Sequence, residues 1–359
     1  MSLPEAVAPE PQGGETFLAE IRDQPAALTR LLERGGEFER VAALMHRRNA
    51  RTIRMVGHGS SDNAASYGVY AFGLLPRWTA FRDSISLSVN YGMRLDLTGC
   101  TVLALSQSGR TPDVLEYVDR ARRSGALTVA ITNEPDSELG ATAEAVLPLE
   151  AGSERAVAAT KTYLNQVAAL ALLAAHAAGR GRQYAGGVRL VSEELDGLVP
   201  DLERRVLPLA ASFAFTGRMF VIGRGPEFAT AREIALKLLE TTRIAAEPLT
   251  ATDLAHGPVA ALDPLFPVWA VASEDETLPA VLEAAERTRA MGAALIASGS
   301  AAGRVQGAEY VLPVPDLGSR LLSPLLSVVP GQLFAWALAR AKGLDPDRPR
   351  GLTKVTLAR

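Results

Sequence analysis

The chain has 359 residues with a formal net charge of −3, and 21% of its residues are charged. This length allows two domains, and the near-balanced charge gives no electrostatic reason to expect nucleic acid or an acidic membrane as a partner. The single cysteine, Cys100, excludes an internal disulfide framework and favours a reducing, cytoplasmic location. The four histidines are scattered without metal-ligand spacing, so we expect no metal and no cofactor.

The N-terminal segment, residues 1–14, is rich in Pro, Gly and Glu and lacks the basic start and apolar centre of a signal peptide. We predict a disordered tail there, followed over residues 15–39 by a leading helix that packs on the first domain. The most apolar helical run, roughly residues 167–178, is about twelve residues long and too short to span a bilayer. It is better explained as a buried helix.

The sequence repeats itself at an offset of 166 to 167 residues. The segments IRMVGHG at 53–59 and MFVIGRG at 219–225 are both short apolar runs that end in Gly-x-Gly. Residues 101–133 and 267–299 both read strand, polar loop, amphipathic helix, strand. Each copy closes with a further strand and a long apolar helix: AVLPL at 145–149 with a helix near 158–178, and YVLPV at 310–314 with a helix near 322–342.

Strands that alternate with helices in this way indicate right-handed crossovers and a parallel sheet covered on both faces. The sequence therefore predicts two tandem doubly wound α/β domains of three α-β-α layers, at residues 40–183 and 205–345, with a linker between them. In such sheets ligands bind at the carboxyl ends of the strands.

The loop after the second strand of the first copy has the composition of a phosphate cradle. Thr111 is a good N-cap and Pro112 a good first helical residue, so a helix begins at once. The hydroxyls of Ser106, Ser108 and Thr111 and the flexible Gly109 then meet at a positive helix end. The alternative is an ordinary polar turn.

The second copy helps to choose between these interpretations. Its corresponding loop, residues 273–277, reads SEDET, and three consecutive carboxylates would repel a phosphate. This difference favours one binding copy and one copy with another role. The Gly-x-Gly loops at 57–59 and 223–225 lack the third glycine of a dinucleotide fingerprint, so they predict close backbone approach only.

Three features of the second copy carry candidate catalytic groups. Glu233, Lys237 and Glu240 have helical i, i+4 and i, i+3 spacing, which suits a solvated ion-pair stripe as well as a site. His256 ends a short helix in AHGP, and Lys354 lies in a C-terminal tail, residues 346–359, that Pro349 and Gly351 can bend back over the domain.

Taken together, these segments resemble the sugar isomerase (SIS) domain family, and most closely the isomerase half of glucosamine-fructose-6-phosphate synthases. The resemblance runs in the family's order from about residue 15 to the C-terminus. Its motifs are GHGSSDNA, SQSGRTPD, TNEPDSEL, AGSERAVAATKTYLNQ, GRGPEFATAREIALKLLE, AAEPLTATDLAHGP and PRGLTKVT.

The resemblance implies a role for each matching residue. Glu240 would move the proton between C1 and C2, Lys237 would orient the open-chain sugar, and Lys354 would form a Schiff base with the ketose. His256 would assist ring opening from the neighbouring subunit of a homodimer. The residues implied to hold the 6-phosphate and line the sugar are Ser61, Ser106, Gln107, Ser108, Thr111 and the backbone of Val157 and Ala158.

Two departures bear on the implied activity. The sequence starts where the synthase's glutaminase domain would end, and Arg110 replaces an acidic residue in the phosphate loop. We therefore expect a phosphosugar isomerase acting on 6-phosphorylated amino sugars, of the glucosamine-6-phosphate deaminase/isomerase type. The alternatives are a fructosamine-6-phosphate deglycase and a non-catalytic sugar-phosphate-binding regulator. The implied partners are a sugar 6-phosphate and a second copy of the chain.

Overall fold

The computed structural model of the protein describes residues 13–354. Residues 1–12 of the predicted disordered tail and residues 355–359 of the predicted C-terminal tail lie outside the described residues. The described chain forms two parallel sheets with helices on both faces of each, so the predicted fold of two doubly wound α/β domains is confirmed.

The ten described strands divide equally between the two sheets. The first sheet contains β1 Thr52–Val56, β2 Ala80–Arg82, β3 Cys100–Leu105, β4 Leu127–Thr132 and β5 Ala145–Pro148. The second contains β6 Arg218–Gly223, β7 Ala245–Thr250, β8 Pro267–Val271, β9 Ala294–Gly299 and β10 Tyr310–Pro313. The strand orders, β2-β1-β3-β4-β5 and β7-β6-β8-β9-β10, are the same topology twice.

Helices precede, cover and connect the sheets. The α-helices are α1 Glu15–Arg22, α2 Gln24–Leu32, α3 Gly35–Arg47, α4 Ser60–Leu74, α5 Ile85–Val89, α6 Pro112–Arg123, α7 Glu138–Thr142, α8 Lys161–Ala177, α9 Gly181–Ser212, α10 Glu227–Thr242, α11 Leu278–Ala290 and α12 Ser323–Ala341. Short 3-10 turns lie at Asp253–His256, Pro258–Ala261 and Ala302–Arg304.

The largest apolar core lies between the two sheets. It joins side chains of α4, α8, α10 and α12 to the inner faces of both sheets, while two smaller cores lie under α6 and α11 on the outer faces. The apolar run predicted as a buried helix lies in α8, whose side chains are nearly all buried. Within residues 13–354, no helix has the length and hydrophobicity to cross a membrane.

The segments outside the sheets differ from the expectations. The leading segment, residues 15–39, is not one helix but α1, α2 and the start of α3, and α1 also contacts α12 of the second copy. The segment expected as a linker is part of α9, a helix of 32 residues that packs on α2, α8 and α12. Its buried residues recur every three or four positions, which is why it is helical despite Pro200 and Pro208.

The strand order reverses between β1 and β3 in the first sheet and between β6 and β8 in the second. Loops that leave the carboxyl ends of such neighbouring strands diverge and open a crevice, which is the usual ligand position in open α/β sheets. The relevant loops are residues 57–59 and 106–111 in the first copy, and residues 224–226 and 272–277 in the second.

Candidate active site

The phosphate loop, residues 106–111, turns sharply between β3 and α6. Gly109 has a φ of 62°, and a Cβ there would lie 1.9 Å from the hydroxyl oxygen of Ser137. Only glycine fits this position without displacing the neighbouring loop. The turn directs the chain straight into α6, where Pro112 is the first helical residue, as predicted.

Hydrogen bonds hold the loop's hydroxyls together. The Ser106 hydroxyl accepts the Gly109 N–H at 3.1 Å and lies 3.1 Å from the Thr111 hydroxyl. Thr111 is at the N-cap position, but its side chain makes no capping bond to the helix. The Thr111 hydroxyl lies instead beside the Ser106 hydroxyl in the loop, where the positive end of α6 favours an anion.

A cleft of about 490 Å³ opens at this loop and is lined by both copies of the repeat. The second copy contributes Glu240 from α10, and the C-terminal tail contributes Lys354. The side chains and backbone that line the cleft belong to His58, Gly59, Ser60, Ser61, Leu105, Ser106, Gln107, Ser108, Thr111, Asp113, Val157, Ala159, Glu240, Leu352, Thr353 and Lys354.

A buried lysine between two carboxylates lies behind the residues that line the cleft. Lys237 Nζ lies 2.5 Å from Glu240 Oε2 and 3.4 Å from Glu233 Oε1. The side chains of Glu233 and Lys237 are fully buried, whereas that of Glu240 is 22% exposed. Ser60 and Asn63 of the first copy donate to Glu233 at 2.8 and 2.9 Å. The row is therefore a buried contact between the copies, not a solvated stripe.

Burial and the neighbouring charges shift the pKa values of these groups in opposite directions. Burial raises the pKa of Glu233, although the Lys237 ammonium and the Asn63 amide partly oppose it. Burial alone would lower the pKa of Lys237, but the carboxylates of Glu233 and Glu240 raise it above its ordinary range. Lys237 is therefore a permanent cation that holds the Glu240 carboxylate at the edge of the cleft.

The C-terminal tail closes one side of the cleft through an ion pair. Lys354 Nζ lies 2.7 Å from Glu154 Oε2, and the Glu154 side chain is fully buried. Glu154 also accepts hydrogen bonds from the Thr160 N–H and from the N–H and hydroxyl of Thr162. Burial alone would raise the pKa of Glu154, but Lys354 and these donors hold it below its usual value.

Two acidic residues fix the loop that carries Val157. Glu20 of α1 accepts the N–H groups of Arg155 and Ala156. The carbonyl of Asp347 accepts the Val157 N–H at 3.1 Å. The Asp347 carboxylate in turn caps α1 by accepting three N–H groups, including that of Phe17 at 2.7 Å. Helix α1, the tail and this wall of the cleft are therefore one connected unit.

The structure brings most of the sequence-predicted residues to this cleft, and three lie elsewhere. Ala158 is buried, and its neighbour Ala159 lines the cleft instead. Lys237 lies behind Glu240 and does not line the cleft. His256 is exposed on its 3-10 turn and does not line the cleft of its own chain.

Sequence reasoning missed three groups as functional candidates: Ser60, Glu154 and His58. His58 lies in the first Gly-x-Gly loop and Ser60 is the first residue of α4 directly after it, and their position at the strand reversal was the available signal. Glu154 had no local signal, because its importance comes from a lysine 200 residues away. Among residues 13–354, no group of three or more His, Cys, Asp or Glu side chains is arranged to hold a metal ion.

Comparison with known proteins agrees with this architecture. The family model of the SIS domain matches residues 48–176 and 213–301, one match in each copy. The chain belongs to the SIS domain family.

Relatives of the chain include the isomerizing glutamine–fructose-6-phosphate aminotransferase of Aeropyrum pernix. The two are 36% identical over 356 residues, which cover 94% of this chain and 56% of that protein. The chain spans about half the length of the curated relatives it matches.

Two solved structures share the fold of this SIS protein. The C-terminal domain of glucosamine-fructose-6-phosphate aminotransferase from Francisella tularensis superposes with a TM-score of 0.85 at 26% identity, over 95% of this chain and all of that one. A glucosamine-6-phosphate deaminase from Thermotoga maritima superposes with a TM-score of 0.74 at 22% identity, over 96% of this chain and 100% of that one. The latter likeness concerns the fold alone.

Proposed function

We propose that this protein is a phosphosugar isomerase that converts a 6-phosphorylated amino sugar to the ketose phosphate and ammonia. One observation carries the proposal: the Glu240 carboxylate of the second copy enters the cleft that the phosphate loop of the first copy forms. Anchoring a phosphate at one end and presenting a carboxylate at the other is what isomerisation of an open-chain sugar phosphate requires.

In the proposed reaction, Glu240 removes the proton from C2 of the open-chain aldose and returns it to C1. As this proton moves, the C1 oxygen gains a proton and the amine loses one, so that C1 becomes an alcohol and the nitrogen at C2 becomes an imine. The Lys354 amine displaces ammonia from this imine, and water then hydrolyses the imine to the protein, which releases the ketose phosphate and free lysine. The Lys237 ammonium, 2.5 Å from Glu240 Oε2, fixes the position of the carboxylate that must accept the proton. The phosphate loop fixes the sugar through its 6-phosphate, so that proton transfer occurs within one bound complex.

The buried ion pairs favour an enzyme over a regulator that only binds the sugar phosphate. Burying Glu233 and Lys237 away from water costs free energy that their mutual attraction does not fully return. A binding protein requires the phosphate loop but gains nothing from this arrangement. An enzyme gains a carboxylate, Glu240, that the Lys237 ammonium holds in one position.

The proposal is tested by measuring ammonia release and ketose formation over a panel of 6-phosphorylated amino sugars, including fructosamine 6-phosphate. We expect turnover of glucosamine 6-phosphate by the wild type, and a 10²- to 10⁴-fold lower turnover with retained binding for Glu240→Gln. Glu247→Gln, an exposed carboxylate on β7, is the matched control. Release of ammonia from fructosamine 6-phosphate alone would identify a deglycase. Binding without turnover of any sugar would identify a regulator.

A further inference from the structure

A histidine of the first copy lines the same cleft and has no role in the reaction described above. His58 follows β1, and its side chain is 57% exposed. Its Nε2 lies 2.7 Å from Oδ2 of Asp113, whose side chain is only 15% exposed. Asp113 is the second residue of α6, directly after the phosphate loop. An imidazole held by a carboxylate thus stands beside the predicted phosphate position.

The position of Asp113 beside the phosphate loop indicates what the His58–Asp113 pair does. A carboxylate at the edge of an anion site repels the phosphate that the loop attracts, unless a cation compensates it. His58 provides that compensation only when it is protonated. In the neutral ring, Nε2–H donates to Asp113 and Nδ1 offers a lone pair, whereas protonation adds an Nδ1–H donor and a positive charge.

No hydrogen bond within residues 13–354 occupies the Nδ1 atom of His58. A phosphate oxygen is therefore a suitable acceptor for it. The other ionisable groups that face the cleft are Asp113 on α6, Glu240 on α10 and Lys354 on the tail. Lys237 and Glu154 compensate Glu240 and Lys354 respectively, so His58 is the group whose protonation changes the charge at the phosphate end.

We propose that His58, held by Asp113, is a phosphate-binding residue whose protonated ring adds a charged donor to the phosphate loop, so that a sugar 6-phosphate binds more tightly to the imidazolium form than to the neutral form. This inference rests on the proposed function, because it takes a sugar phosphate as the ligand. It adds a pH-dependent binding residue to the loop's hydroxyls and N–H groups.

The test measures binding of glucosamine 6-sulfate by calorimetry between pH 5.5 and 8.5. A sulfate monoester keeps one charge throughout this range, so the titration of the ligand's anionic group is removed from the result. For the wild type we expect affinity to fall about 5- to 30-fold, as for loss of one charge-assisted hydrogen bond. His58→Gln should bind with the affinity of the wild type at pH 8.5 and should show only the smaller change that the ligand's own 2-amino group causes over this pH range. His46→Gln, an exposed histidine outside the cleft, should behave as the wild type.

The outcomes separate this inference from the proposed function. If His58→Gln keeps the pH dependence of the wild type, His58 does not bind the phosphate and the inference is overturned. The proposed function then still stands, provided that Ser108→Ala weakens binding and glucosamine 6-phosphate is turned over. If the wild type binds neither glucosamine 6-sulfate nor glucosamine 6-phosphate, both proposals fail.

Discussion

Ser273 donates a hydrogen bond across 2.6 Å to Glu227 Oε1 at the strand reversal of the second sheet. By the offset of 166 residues, Ser273 corresponds to Gln107 and Glu227 to Ser61 of the first copy, and both of these first-copy residues line the cleft. Glu227 is fully buried and also accepts the hydroxyls of Ser323 and Thr230 at 2.8 and 2.6 Å. Burial raises its pKa, although the hydroxyls oppose this. A carboxylate of the chain itself thus occupies the second copy's equivalent of the phosphate position.

This contact gives a different reason to predict that the second copy binds no phosphate. Glu274 and Glu276 are paired with Arg304 and Arg320, and Asp275 accepts hydrogen bonds from Thr277. The negative charges of this loop are therefore largely compensated by neighbouring groups. We expect this position to exclude a phosphate because the carboxylate of Glu227 lies there.

We expect Ser108→Ala to affect sugar-phosphate binding and Ser273→Ala to affect the stability of the fold. Ser108→Ala should weaken sugar-phosphate binding by about 1–3 kcal/mol through loss of a charge-assisted hydrogen bond. Ser273→Ala should leave this affinity unchanged but lower the free energy of unfolding by about 1–3 kcal/mol, because buried Glu227 loses a donor. Calorimetry and urea unfolding measure the two effects. A phosphate or sulfate bound at residues 273–277 and absent from the first copy would contradict both assignments.

Glu20 should make stability depend on pH. Burial raises its pKa from 4.5 to about 7, with the Glu154 carboxylate adding to the effect and the amides of Arg155 and Ala156 opposing it. The folded state therefore binds the proton more tightly than the unfolded state. This contribution to stability is present below about pH 4.5 and is lost as the pH rises to about 7.

The variant Glu20→Gln mimics the protonated form and should remove this loss. The difference in free energy of unfolding between this variant and the wild type should increase in favour of the variant by roughly 1–2 kcal/mol from pH 5 to pH 8. This is less than the free energy that the whole pKa shift represents, because solvent screens part of the charge. Urea unfolding at the two pH values measures it. Glu15→Gln, on the exposed face of the same helix, is the control and should show no such change.

The sequence predicted the strands and helices of the internal repeat well, but it predicted two edge strands and the helix between the copies poorly. The apolar runs that recur at an offset of 166 became β1 and β6 and their neighbours. The edge strands β2 and β7 were missed, because they are half-exposed and have no apolar run, and β7 contains Pro248. Helix α9 was missed because its glycine-rich start hid an apolar pattern from Tyr184 onward.

The sequence predicted which residue types form the candidate site, but not which of these residues are buried. The spacing of Glu233, Lys237 and Glu240 places them on one helix face, yet only the packing of α10 against α4 and α12 decides that this face is buried. A charged row is usually solvated, so the sequence could not separate the two cases. Contacts between distant segments, such as Lys354 with Glu154, leave no local pattern at all.

The exposed His256 yields a prediction about assembly. The resemblance to the SIS family implies that this residue acts from the neighbouring subunit, and its exposure outside the cleft of its own chain is compatible with that role, so we expect it to act in the cleft of a partner within a homodimer. Coexpression of His256→Ala with Glu240→Gln gives hybrid dimers in which one of the two clefts has both native residues. Turnover should reach about one quarter of the wild-type value for random pairing. Turnover no higher than that of the single variants, or full activity from a monomer, would contradict the prediction.

Lys354 should form an imine with the ketose phosphate, in which its amine nitrogen replaces the carbonyl oxygen and water leaves. The structure imposes a condition on this step. Because Lys354 Nζ lies 2.7 Å from Glu154 Oε2, the lysine must leave this carboxylate before its neutral amine can attack the sugar. The variant Lys354→Ala is ambiguous, since it also leaves Glu154 buried without its cation.

Lys354→Arg resolves the ambiguity, because arginine preserves the ion pair with Glu154 but forms no imine. Borohydride added with fructose 6-phosphate should attach the reduced sugar to Lys354 in the wild type, as mass spectrometry of the digest would report. The Arg variant should take up no sugar and should lose turnover at least about 10²-fold. Lys342→Ala controls for non-specific reduction, because burial lowers the pKa of Lys342 and makes it a competing amine. Near-normal turnover by Lys354→Arg would mean that the lysine only fastens the tail to Glu154, and that proton transfer by Glu240 proceeds without an imine to the protein.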